Sequence, residues 1–191
     1  MPMQTWVETI TAATGDSAAL ANSTSETTIA PPNTHIILPS NYLDKIGATL
    51  RLYATGRIST LTASPGTLTF KVKLGPTANI AVATGPAFAL NTTAKTNVPW
   101  WLDWLLTVRT NGTGTSATLM NVGQWTSEAV IGSPAPSAGS VGALMIPASA
   151  PAVGTGFDST VANTFDLTAT WSVANAANSI QTHQLMLLSF N

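Results

Sequence analysis

Apolar and polar residues alternate with a period of two along most of the chain, most regularly near its C-terminal end. In residues 163–173, Phe165, Leu167, Ala169, Trp171 and Val173 fall on one face of an extended segment, with Asp166, Thr168, Thr170 and Ser172 on the other. Residues 174–178 (Ala-Asn-Ala-Ala-Asn) interrupt the pattern, and Ile180, Thr182, Gln184, Met186, Leu188 and Phe190 then resume it. The two runs predict a β-hairpin that closes an all-β domain. Asn191 follows directly on Phe190, and this terminus is expected to pair inside a sheet.

The same reading applies upstream. A short apolar strand is expected at 35–38, followed by a turn at 39–43 that proline begins. Residues 49–61 put Leu50, Leu52 and Ala54 on one face and Arg51, Tyr53 and Thr55 on the other, with Gly56 marking a bulge. After a Ser-Pro-Gly turn, Leu68, Phe70, Val72 and Leu74 point inward and Lys71 and Lys73 outward. Short strands are expected around Ile80 and Val82, around Phe88 and Leu90, and at 141–146, with an exposed Pro/Ser/Ala/Gly loop at 132–142. Asn111-Gly112 predicts a hairpin turn between 98–109 and 116–125, of the kind that needs positive φ.

Residues 98–109 carry large apolar groups on both faces. Val98, Trp100, Leu102, Trp104, Leu106 and Val108 suit a core, yet Trp101 and Leu105 stand on the other side with Asp103, Thr107 and Arg109. Such a strand is either covered within its own fold or turns its second face toward another subunit. A sandwich has one inner face per sheet and tryptophan is enriched where subunits meet, which favours the second reading. Trp101, Leu105 and Trp125 are the candidate seam residues. Residues 1–33 are polar and weakly periodic, with Trp6, Val7 and Ile10 as isolated apolar positions. They are expected to form either an extended arm reaching a neighbour or a first edge strand, and they divide the chain into an arm at 1–33 and a sandwich at 34–191.

Composition sharpens the assembly reading. The 191 residues suit one domain able to bury roughly 70% of its unfolded surface. Only 8% are charged, against about 25% in ordinary soluble domains, and mean hydropathy is +0.24. A Thr/Ser/Asn exterior supplies polarity without charge, and burial between subunits accounts for the rest, so a stable homo-oligomer is expected. The net charge is −1 and the seven Lys and Arg are scattered, so no nucleic-acid stripe forms. No cysteine is present, which removes disulfides and thiolate sites. Residues 1–6 lack a signal-peptide pattern and the run at 98–108 is too short to span a bilayer, so a chain made and assembled in the cytoplasm, without a membrane partner, is expected. The sequons at Asn22, Asn91 and Asn111 therefore read as ordinary turn residues.

Catalysis is hard to assemble from this inventory. His35 and His183 are the only imidazoles, and His183 suits packing or an interface hydrogen bond. No metal-ligand spacing appears, and neither Asp158 with Asp166 nor Asp103 with Glu128 is selected as a glycosidase pair. Neither enzyme activity nor any cofactor or metal is expected.

Three stretches carry a resemblance: LPSNYLDKIGATLRLYATGRIST at 38–60, WTSEAVIGSP at 125–134, and 156–191 with its FDST, TATWS and THQLMLLSFN phrases. Together they are similar to a group of tailed-bacteriophage virion proteins with a jelly-roll β-sandwich. The resemblance spans most of 35–191 and is a match of strand phrases with no catalytic residues to carry over. It implies a jelly-roll with an extended N-terminal arm, and membership of the virion. Such proteins serve as capsid cement or decoration proteins, commonly homotrimers on the outer capsid surface that bridge major capsid protein subunits, and also as receptor-binding tips of tail fibres or head spikes. On this reading Trp101, Leu105 and Trp125 form the trimer seam, and Trp6, Val7 and Ile10 contact the capsid or a neighbour. A fibre tip is usually preceded by a long shaft, whereas the thirty-odd residues ahead of this sandwich lack heptads. A carbohydrate-binding module, with exposed tryptophans stacking on a glycan, is a third option.

Overall fold

The computed structural model describes residues 6–130, 142–147 and 149–190. Within them the chain forms strands β1 (Val7–Ala12), β2 (Leu20–Ala21), β3 (Thr27–Thr28), β4 (Ile37–Leu38), β5 (Thr49–Thr60), β6 (Thr67–Leu74), β7 (Ile80–Thr84), β8 (Phe88–Ala89), β9 (Lys95–Thr110), β10 (Thr118–Ser127), β11 (Gly142–Ile146), β12 (Asn163–Thr164), β13 (Asp166–Trp171) and β14 (Ser179–Phe190). A large sheet runs β1-β14-β5-β9-β10-β11, with β2 also on β14, and a small sheet runs β3-β13-β6-β7, with β8 also on β6. β4 and β12 form a separate ribbon. All the strand pairs are antiparallel, so the protein is an all-β sandwich.

The core lies between the two sheets, where the period-two pattern sends it. Leu50, Leu52, Ala54 and Ile58 of β5 and Trp100, Leu102, Trp104, Leu106 and Val108 of β9 are buried from one side. Leu68, Phe70, Val72 and Leu74 of β6 with Leu167, Ala169 and Trp171 of β13 are buried from the other. Four aromatic rings join the layers. The Trp125 ring from β10 lies 5.0 Å from Phe70 and 4.9 Å from Phe88, and Phe70 lies 6.0 Å from Trp100. Each such pair adds about 0.5–1.5 kcal/mol beyond the area it buries.

The hairpin expected from 163–173 and 179–191 does not form: β13 belongs to the small sheet and β14 to the large one. The two strands lie in different layers of the sandwich, since a buried face reads alike whether its neighbour lies beside it or opposite it. The corner between them is held by the fully buried Asn178, which donates from Nδ2 to the carbonyls of Pro65 (3.0 Å) and Val173 (3.3 Å) and accepts from the Leu61 amide (2.8 Å). The pattern within β14 also changes midway. His183 is an extra residue between Thr182 and Gln184 in the pairing with β5, and this bulge turns Leu185, Leu187 and Ser189 inward and Met186 and Leu188 outward. The bulge expected at Gly56 thus sits on the strand beside it. A Cβ at Gly56 would stand 1.9 Å from the Gln181 carbonyl oxygen, so glycine permits that approach.

Of the two readings of the N-terminal segment, the edge strand is the one formed. β1 pairs with β14 on the outer edge of the large sheet, Leu20 pairs with Ile180, and β3 crosses to pair with β13. Leu20, Ile29 and Ala30 are buried in the core. The segment is part of the sandwich, and a division at residue 33 separates nothing. The β9–β10 hairpin is present, with a loop at 111–117 longer than a two-residue turn and Gly112 at φ +139°. The loop expected at 132–142 lies outside the described residues apart from Gly142, which begins β11, and Asn191 lies outside them too.

Glu26, just ahead of β3, fastens this segment to the small sheet. Its carboxylate meets Lys71 Nζ at 2.6 Å and Lys73 Nζ at 3.0 Å, and accepts from Thr168 Oγ1 at 3.1 Å. Burial alone would raise its pKa, but the two lysines and the threonine outweigh that and bring it from 4.5 to about 2. The stabilisation is therefore complete above pH 4.5 and is lost as pH falls toward 2. Glu26→Gln is expected to cost about 1 kcal/mol at pH 6, the scale of a partly screened ion-pair network. Denaturant unfolding of both proteins from pH 6 to 2.5 should show the difference shrinking with acid; a constant difference contradicts the assignment.

Candidate interaction face of the large sheet

Residues alternate out of the core as well as into it, and on β5 and β9 the outward set is unusual. Trp101 is 55% exposed, and no described segment covers it. Its ring meets Tyr53 edge-on, with centroids 6.2 Å apart at 73°. The Arg51 guanidinium lies 4.4 Å from the Tyr53 ring centre and grips Asp103 with a fork, Nε to Oδ1 at 3.0 Å and Nη2 to Oδ2 at 2.7 Å. That hydrogen-bonded carboxylate raises the Arg51 pKa above its ordinary value. Register explains the assembly: Arg51 pairs with Leu105, Tyr53 with Asp103 and Thr55 with Trp101, so diagonal neighbours interlock on the pleat. The result is a rigid stack of two rings and one ion pair standing on a sheet.

Depressions flank the stack. On one side a groove of about 610 Å³ is bounded by Trp101, Tyr53, Thr55, Gln184, Met186 and Ala12, reaching from β9 across β5 and β14 to β1. On the other a shallower one of about 310 Å³ has Leu105, Val122, Gln124 and Met145 around the Arg51–Asp103 fork. Val122 pairs directly with Leu105, and Met145 with Gln124. Val122 and Met145 are exposed, at 37% and 54%. Neither stood out in the sequence, because the parity of β10 and β11 was unknown without their pairing.

The three expected seam residues do not come together. Trp101 and Leu105 share the outer face, Leu105 half-buried. Trp125 is wholly buried and cannot line a seam between subunits. Leu119, Asn121, Trp125 and Ser127 form the inward set of β10, and the Trp125 indole fills the space between Phe70 and Phe88. At the edge, Trp6 is 67% and Val7 59% exposed, whereas Ile10 is partly buried against the core.

The histidines and several carboxylates are committed elsewhere. His183 Nδ1 lies 2.9 Å from Asp16. Thr28 Oγ1 donates to Asp166 at 2.6 Å and lies 3.2 Å from His35 Nε2, and burial pushes the Asp166 carboxyl up against the pull of Thr28 and His35. Asp158 accepts from the Gly114 and Thr160 amides, and Glu128 lies 3.6 Å from Lys95. Among the described residues no three His, Cys, Asp or Glu side chains gather as a metal site, and no helix is long and apolar enough to cross a membrane. No protein-family model, curated protein or solved structure matches the chain.

The two tryptophans should separate on mutation. Trp125→Ala is expected to destabilise the fold by about 3–5 kcal/mol, the cost of emptying a core site, whereas Trp101→Ala should stay within about 1 kcal/mol. Urea unfolding of both variants checks this, and similar losses at the two positions contradict the placement.

Proposed function

We propose that this chain is a bacteriophage capsid decoration protein, a jelly-roll that associates as a homotrimer, binds the outer surface of the head and bridges major capsid protein subunits. The observation that carries the reading is the outer face of the large sheet. Trp101, Leu105, Val122 and Met145 are large apolar residues on one side of a chain with 8% charge, and the Arg51–Asp103 fork is the ion pair among them. An apolar patch with a rigid polar centre is what a subunit interface needs, since it supplies burial and fixes register. The jelly-roll part is supported by the strand order, β1-β14-β5-β9 opposite β3-β13-β6-β7, with the chain crossing between sheets from β3 to β5, β5 to β6 and β13 to β14. The phage part rests on the resemblance of 38–60, 125–134 and 156–191 to virion jelly-rolls.

The work of such a protein is mechanical. A trimer seated where capsomers meet adds buried area across their joints and opposes outward pressure from the packaged genome. Each stable contact requires about 1,200–2,000 Å² of buried surface. Nothing in this role calls for a catalytic group or a cofactor.

A second reading, a receptor-binding tip, is favoured by the groove beside Trp101. Its volume falls in the range of small-molecule sites, and the Gln184 amide at its rim is exposed. A glycan ligand would occupy the same face that the trimer reading buries.

Trp101→Glu places a charge at the centre of the proposed seam while leaving the core untouched. Native mass spectrometry is expected to show wild-type trimer and folded Trp101→Glu monomer. A Trp101→Glu trimer with unchanged capsid binding contradicts the seam.

A further inference from the structure

One chain carries both a projecting apolar knob and an uncharged groove, and the two cannot meet within the same molecule. The knob is Trp6, 67% exposed at the leading end of β1, with Val7 beside it. The groove lies beside Trp101 and reaches β1 only at Ala12. Trp6 and Ala12 are six residue steps apart, about 20 Å at the rise of an extended chain, further than an indole can span. Charges are arranged around both features in a complementary way. Glu8 shares one side of the strand with Trp6 two positions away, and Arg57 shares the outer face of β5 with Thr55 of the groove. Both are exposed. Glu8 has no cationic partner and Arg57 no carboxylate partner among the described residues; the Arg57 guanidinium rests on the Gln181 side-chain oxygen.

We propose that Trp6 of one subunit inserts into the groove beside Trp101 of the next, with Glu8 meeting Arg57 across the joint, so that the trimer closes head to tail. The inference rests on the trimer reading and specifies its contact. Two different surfaces meet in such a joint, so the contact is heterologous, and three of them close a ring when the rotation between subunits is one third of a turn. The occupant is another copy of this chain because the same sequence supplies an exposed aromatic that can enter the groove and the carboxylate that Arg57 lacks. A tryptophan buried at a subunit contact is the kind of residue that dominates an interface.

The chain has no cysteine, so engineered thiols report one contact each. The oligomeric state of the wild-type protein is measured first by native mass spectrometry; a monomer overturns the trimer reading and this inference with it. Given a trimer, a Glu8→Cys/Arg57→Cys double variant treated with a short bis-maleimide is expected to run as a covalently closed trimer in denaturing gels, while each single variant stays monomeric there. A native trimer that yields no crosslink from the double variant overturns the head-to-tail contact and leaves the trimer reading standing. Crosslinked dimers from a single variant show like meeting like, and overturn it as well. Charge exchange is the second readout: Glu8→Arg and Arg57→Glu should each weaken the trimer about tenfold or more, and the double exchange should recover most of the loss. Equal weakening in the double variant rejects the pairing.

Discussion

The sandwich depends on the aromatic cluster that joins its two sheets. Trp100 and Trp125 come from the large sheet, Phe70 and Phe88 from the small one, and their rings lie 4.9 to 6.0 Å apart. The chain has no disulfide to do this work, so packing between layers carries the stability. The cluster also constrains everything around it. With Trp100 pointing inward, Trp101 must point outward, and the outer stack of Trp101, Tyr53 and Arg51 follows from the same pleat that fills the core. Trp100 further ties the bulge in place, since its Nε1 donates to the carbonyls of Arg57 (3.2 Å) and Gln181 (3.3 Å) beside Gly56.

Where one strand decided its own burial, the sequence was readable. The inward faces of β5, β6 and β9 are the alternate apolar sets of the chain. What depended on partnership was not readable. Periodicity cannot distinguish a neighbour beside a strand from one across the core, so β13 and β14 looked like a hairpin. In β14 both faces carry large apolar residues, so the parity change at His183 left no mark. Trp125 was a seam candidate beside Trp101 until the pairing of β10 with β9 turned it inward. The outer face was half legible: Trp101 and Leu105 stood out as apolar positions out of step with a core, while Val122, Met145 and the groove needed the sheet to be assembled.

Low charge acquires a structural meaning from this arrangement. The small sheet gathers lysines and Glu26 into an ion-pair cluster that holds the N-terminal segment. The large sheet exposes aromatic and thioether groups around the Arg51–Asp103 pair. The two outer faces thus differ in kind: the first resembles a solvated surface, the second a surface awaiting a partner. In the proposed homotrimer, contact through the second face would leave the first free for solvent.

The central claim is that this protein decorates a capsid, and its most direct test is the number of copies per virion. Quantitative mass spectrometry of purified particles, with the major capsid protein as internal reference, gives that number. The account predicts hundreds of copies in a fixed ratio to the capsid subunit. A few copies, or a few tens, would contradict it and point to a fibre or spike.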